Sequence, residues 1–298
     1  MSGKTRELKR RIKGINTMKQ LTKAMELVST SKYKKHQKFV MASRPYSQAM
    51  EGILANIGKV IKEERHSLYV KRQEVKARAF IIIGSDRGLC GGYNSAIIKE
   101  YKAFIEANRQ KQELYVVGGK LLEFLPSELI QERYSLPLLE ESQEFSDRII
   151  APLIKRYLIG EIDEVILIYT EFISTVSSKA VVKKMLPLEE LIISEGVSSY
   201  EIESDYTGLI DGWNIPILSQ AEMILDKLLP KYLGVRIYQA LLESTASEQA
   251  SRMRAMQNAT TNAKESLDHL SLELNRERQS AITQENSEIV AGAEAIQG

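Results

Sequence analysis

The sequence is most informative first for what it has little of. It has one cysteine, Cys90, in 298 residues, which excludes an intrachain disulfide and suits a reducing compartment. Its three histidines, His36, His66 and His269, are too far apart for metal-ligand spacing. They also give Cys90 no neighbour in sequence that would activate a nucleophile. No apolar run approaches the roughly 18–20 residues that span a bilayer. The expectation is a soluble chain whose membrane links go through partners. The first 15 residues are rich in Lys and Arg but are not followed by a continuous apolar stretch, which argues against a signal peptide. The net charge is only +2, so nothing global points to nucleic acid. The glycine-rich segment Ser85 to Gly92 has neither the Gly-Lys-Ser/Thr of a phosphate-binding loop nor a G-x-G-x-x-G turn.

Long amphipathic segments occupy both ends. In residues 1–57, Leu8, Ile12, Ile15, Met18, Leu21, Met25 and Val28 recur at steps of three or four. This spacing predicts a helix with a narrow apolar seam of the coiled-coil kind. Pro45 is expected to kink or interrupt it late. In residues 218–298, Met253, Met256, Thr260, Ala263, Leu267, Leu270 and Leu274 alternate steps of three and four. A helix over that span would be ~110 Å long at about 1.5 Å per residue, so much of it is expected to project. The ends also differ in charge. Residues 2–38 carry twelve Lys and Arg against Glu7 and Glu26, whereas residues 243–298 carry five basic and nine acidic residues. Two seams of opposite charge bias predict an antiparallel coiled coil between the chain's own ends.

Residues 76–192 change period. Short β-branched runs at 78–84, 114–117, 164–170 and 180–188 read as buried strands. Helix-like stretches at 94–108, 119–127 and 142–158 separate them. This alternation predicts a small Rossmann-like α/β domain with a mainly parallel sheet. Residues 193–217, with Gly, Pro, Ser and the lone Trp213, read as an excursion between elements.

Candidate chemistry is sparse. Ser85 to Gly92 follows the first strand where a phosphate-binding loop would lie. A structural turn is the simpler reading, with Asp86 and with Gly88, Gly91 and Gly92 supplying positive φ. Gly118-Gly119-Lys120 reads as a helix start. The basic run from Lys32 to Lys38 suits a solvated face or an acidic protein partner; a nucleic-acid patch would need more aromatic residues than Tyr33 and Phe39. At the far end, Ala281, Ile282, Ile289, Val290, Ala291, Ala293, Ala295 and Ile296 spread around the helix. A tip that is apolar on several sides is expected to lie inside another protein. No catalytic residue, cofactor site or metal site is expected.

Four stretches carry a family resemblance. Leu8 to Val28 (LKRRIKGINTMKQLTKAMELV) resembles the N-terminal signature of F-type ATP synthase gamma subunits. Ser85 to Asn94 (SDRGLCGGYN) resembles their first strand-end loop, Ala246 to Thr260 their C-terminal helix, and Asn275 to Glu285 with Glu288-Ile289-Val290 their end signature. Together they run from one end of the chain to the other in the family's order. The resemblance implies a central shaft whose coiled coil turns inside a ring of three alpha and three beta subunits. It places the α/β domain near the epsilon subunit and the membrane c-ring. It implies polar contacts to the beta subunits from Arg278, Gln279 and Thr283, with Arg252 opposite. Lys23 and Met25 would face an acidic beta-subunit lever. Part of 32–46 and the 193–217 excursion would form the foot. Ser29-Thr30-Ser31, Tyr33 and Arg254 depart from the usual pattern. With no chloroplast-type cysteine insert and no transit peptide, the expected location is the cytoplasmic face of a bacterial cell membrane. Two alternatives differ in class: a basic coiled-coil protein that binds nucleic acid, and an α/β nucleotide-binding enzyme with helical arms.

Overall fold

The computed structural model describes residues 3–60, 66–107, 110–175, 177–188 and 217–297. Trp213 and nearly all of the expected 193–217 excursion lie outside these residues. Two long helices, α1 (Gly3–Val60) and α4 (Ile217–Gln297), bracket the rest. Between them run β1 (Ala77–Ile83), α2 (Tyr93–Ala107), β2 (Lys111–Val117), β3 (Ile130–Tyr134), α3 (Ser142–Leu158), β4 (Glu164–Phe172) and β5 (Ser178–Leu186). The chain divides into two units. One is Met1–Ser31 with Arg252–Gly298; the other is Lys32–Ser251.

In the first unit α1 and α4 run antiparallel. Lys4 pairs with Glu277, and Thr260 Oγ1 donates to Thr22 Oγ1 at 2.8 Å. Numbers on one helix therefore fall as those on the other rise. The α4 side follows the expected seam: Met256 is buried and Thr260, Ala263, Leu267, Leu270 and Leu274 are half-buried. The α1 side differs from expectation. Covered positions at Leu8, Ile12, Ile15, Lys19, Thr22, Glu26 and Ser29 follow an alternation of four and three, with Thr5, Met25 and Thr30 covered beside them. Met18, Leu21 and Val28 lie outside the seam, 62%, 60% and 56% exposed, and Met25 is half-buried. The reason is geometric. The steps Ile15–Met18–Leu21 are both three residues, each about 60° short of a full turn, so the apolar row rotates off the contact line. Small and polar side chains fill the seam instead. Such residues fix register at some cost in stability.

In the second unit the sheet order is β3-β2-β1-β4-β5. β1 is parallel to β2 and β4, β2 is parallel to β3, and β5 closes the sheet antiparallel to β4. Both faces are covered, which is why β1 and β4 read as continuous apolar runs. Ala79, Ile81 and Ile83 of β1 pack with Ile149, Leu153 and Tyr157 of α3, Met50 and Leu54 of α1, and Leu229, Leu233 and Ile237 of α4. Phe80 and Ile82 face the other way, onto Tyr93, Ile97 and Tyr101 of α2. β3 was absent from the sequence reading because its three central residues, Gln131, Glu132 and Arg133, are exposed polar positions on an edge. The helix expected at 119–127 is a short 3-10 turn, Gly119–Glu123, followed by another at Ser127–Leu129. Pro45 lies on an exposed position of α1 and does not end it.

His36, on α1 in this unit, has a buried Nδ1 without a hydrogen-bond partner. Burial, with Lys35 and Lys32 adding repulsion, pushes its pKa down from 6.5 to about 4. The folded form therefore resists a proton that the unfolded chain accepts. Above about pH 7 the imidazole is neutral in both states and has no effect. As pH falls from 6.5 to about 4 the fold loses stability, by no more than about 2 kcal/mol after allowing for partial solvent access. Urea midpoints measured against pH should show this loss in the wild type and not in His36→Leu. Parallel curves would remove the effect.

Candidate functional site

The glycine-rich segment after β1 folds onto itself. Ser85 N donates to Asn94 Oδ1 at 3.1 Å, and Asn94 Nδ2 donates to Ser85 Oγ at 2.7 Å. Asp86 accepts from Gly119 N at 2.9 Å and from Leu136 N at 3.0 Å, so one carboxylate ties the ends of β1, β2 and β3 together. A phosphate cradle needs free backbone N–H groups and no fixed anion. Here Ser85 N and Gly119 N are taken, and Asp86 occupies the anion's position. Positive φ occurs at Gly91 and at Leu89, with φ of 60° and 62°. It does not occur at Gly88 or Gly92, contrary to expectation. The Cys90 thiol is buried 3.6 Å from Ser85 Oγ. Among the described residues no group of three His, Cys, Asp or Glu side chains is placed to hold a metal.

This loop also docks on α4. Ser251 Oγ donates to Cys90 O at 2.7 Å, and the Tyr93 hydroxyl donates to Ser244 O at 3.1 Å. Full burial drives the Tyr93 pKa well above the ordinary phenol range.

The other candidate residues lie on the helix pair of the first unit, in two groups. Lys23, exposed, donates to both oxygens of Glu26 at 3.0 and 3.1 Å, and Met25 is half-buried beside it. Arg278, Gln279 and Thr283 are exposed on α4, where the Thr283 hydroxyl donates to Gln279 O at 2.9 Å. Thr22 faces Thr260, so the groups are separated by about 19 residues of helix, ~30 Å. They are two levels of one helix pair rather than one site. Arg252 is buried, unlike the other expected contact residues.

The sequence reading missed an apolar surface. Met18, Leu21, Leu27 and Val28 are exposed on α1, and the signal was the consecutive steps of three that take them off the seam. On α4 every residue from Ile282 to Gly292 is exposed, with Ile289 at 68% and Val290 at 57%. Side chains of Ala293, Ala295 and Ile296 lie outside the described residues. Isolated apolar side chains on a surface are ordinary; rows of them along one helix mark an interface.

A family model described as ATP synthase matches residues 4–296. The ATP synthase gamma chain of Fusobacterium nucleatum is 37% identical over 294 residues, covering 98% of this chain and 99% of the relative. The chain belongs to the ATP synthase gamma chain family. A gamma chain of Desulfitobacterium hafniense is 39% identical over 298 residues, with 98% and 99% covered. One of Acetobacterium woodii, described as sodium ion specific, is 37% identical over 306 residues, with 99% and 100% covered. Among solved structures, a chain of the Tetrahymena thermophila mitochondrial ATP synthase central stalk and c-ring is 25% identical. It aligns with a TM-score of 0.55 over 80% of this chain and 99% of that one. A chain of the Euglena gracilis mitochondrial ATP synthase, at 18% identity, shares the fold with a TM-score of 0.68 over 99% and 95%. The gamma-chain assignment agrees with the α/β fold and the antiparallel end helices described above.

Proposed function

We propose that this chain is the central rotor shaft of an F-type ATP synthase, non-catalytic by itself. It would couple ion flow through a membrane c-ring to the cycling of three catalytic sites in an alpha3-beta3 ring. The observation that carries this reading is the helix pair of the first unit, whose apolar row on α1 and uncovered end on α4 have no cover within their own unit. Family membership supplies the machine in which such a surface is enclosed.

A shaft of this kind acts by differential contact. The α1 face bearing Met18, Leu21, Lys23 and Met25 differs in chemistry from the polar α4 face of Arg278, Gln279 and Thr283. At each level the helix pair thus presents chemically unlike sides, so three surrounding sites would not all meet the same surface at one instant. Each site's open and closed states are biased by the surface it meets, and turning the shaft passes each bias to the next site. The twelve basic residues of 2–38 suit acidic levers on the beta subunits, where complementary charge fixes partner and register. The α/β unit is read as the foot toward the epsilon subunit and the c-ring. No described helix is long and apolar enough to cross a membrane, so attachment would be peripheral, at the cytoplasmic face of a bacterial membrane.

The test is recovery of the tagged chain from native membranes in mild detergent. Alpha, beta, epsilon and c subunits are expected with it in fixed proportion. Recovery as a free chain, or with nucleic acid lost at high salt, would contradict the proposal.

A further inference from the structure

β4 outruns its neighbour. β1 pairs with β4 only from Arg78 opposite Glu164 to Ile82 opposite Ile168, whereas β4 continues to Phe172. Beyond that point the β1-facing edge of β4 would carry unpaired backbone groups. Side chains of α4 take the place of the missing strand. Thr170 N donates to Ser244 Oγ at 3.3 Å, and Phe172 N donates to Glu243 Oε2 at 3.2 Å. α1 joins from the other side: Arg44 Nη2 donates to Phe172 O at 2.8 Å and lies 3.7 Å from Glu243 Oε1. Gln239 Nε2 donates to Glu243 Oε1 at 2.9 Å, and Ser43 Oγ donates to Gln239 Oε1 at 2.6 Å. The hydroxyls of Tyr33 and Thr175 meet at 2.9 Å. Glu243 is 6% exposed.

Both backbone polar groups of one residue, Phe172, are thus held by a charged pair drawn from two different helices. Apolar contacts are non-directional and let surfaces slide. Hydrogen bonds weaken steeply with misalignment, and those to charged groups are the stronger ones. A joint that must resist shear is better built from the second kind.

We propose that the β4 overhang is a torque-resisting joint, in which Glu243 and Arg44 tie the sheet to both helices and act as positioning residues for torque transfer. This rests on the rotor reading. A joint under torque matters when the shaft works against an ion gradient and little when it turns freely. Glu243→Leu keeps the bulk but removes both acceptor oxygens, so Phe172 N and Gln239 Nε2 lose their partner and Arg44 its counter-charge.

The experiment has two arms. In the isolated chain, amide hydrogen exchange at Phe172 is expected to rise tenfold or more in Glu243→Leu, with β1 amides unchanged. In the assembled complex, ATP hydrolysis by the detached soluble part is expected to stay within twofold. ATP-driven ion uptake into sealed vesicles, followed with a pH-sensitive dye and with radiolabelled sodium, should fall threefold or more per ATP hydrolysed. Unchanged exchange at Phe172 overturns the joint whatever the complex does. Equal losses in loaded and unloaded activity, or no loss in either, also overturn it. A wild-type complex that hydrolyses ATP without moving ions overturns the rotor reading and the joint with it.

Discussion

Gly118→Ala is expected to destabilise the α/β unit by about 3 kcal/mol. Gly118 has φ of 108°, a region that costs a residue with a side chain about 1–2 kcal/mol. A Cβ there would lie 2.7 Å from the Gly84 carbonyl carbon and 2.9 Å from Ser85 N. Both are backbone atoms at the end of β1, so relief requires moving a strand, for which about 1–3 kcal/mol is typical. The site is already fixed by Gly84 N donating to Val117 O and Gly118 N donating to Tyr134 O, each at 2.8 Å. Gly92→Ala is the control: nothing lies within 4 Å of its Cβ, and the expected change is under about 0.5 kcal/mol. All thirteen tyrosines fall between residues 33 and 238, so tyrosine fluorescence during urea unfolding reports this unit. A midpoint for Gly118→Ala equal to that of Gly92→Ala would refute the packing argument.

Deleting residues 287–298 is expected to leave the chain folded and to weaken its assembly. Every residue of that segment from 287 to 292 is exposed, so little intrachain burial is lost there and the unfolding midpoint should hardly move. The deletion removes Ile289 and Val290. Each contributes about 1.5–3 kcal/mol if a partner buries it, together ~10²–10⁴-fold in affinity. Reconstitution with alpha and beta subunits, titrated against full-length chain, measures this. Equal affinities with a large fall in thermal midpoint would mean that the tip serves the chain's own fold.

The legible parts of the sequence were those where one residue pattern has one physical solution. Ala79 to Ile83 is apolar throughout because it is covered on both faces, and no amphipathic helix reads that way. The α4 seam from Met256 to Leu274 keeps a strict three–four alternation, so its contact line could be read directly. β3 could not be read, since Gln131, Glu132 and Arg133 carry no burial signal on an edge strand. The α1 stripe misled for a different reason. Apolar periodicity reports that a face is shielded from water, not what shields it; Leu8 is buried and Ile15 half-buried within the chain, whereas Met18 and Leu21 are exposed. Glu243 was invisible as a functional residue. Its role depends on β4 outrunning β1, a fact of strand register that no local pattern encodes. In the segment Ser85–Gly92, Leu89, with positive φ, was overlooked because the glycines nearby drew the expectation.

The measurement closest to the central claim is rotation itself. The purified soluble complex would be fixed to a surface through its beta subunits, with a bead on an engineered cysteine in the exposed part of α2, after Cys90→Ser. Steady one-way turning on ATP addition, in three steps per revolution, is the predicted result. A complex that hydrolyses ATP at full rate while the bead only fluctuates would contradict it.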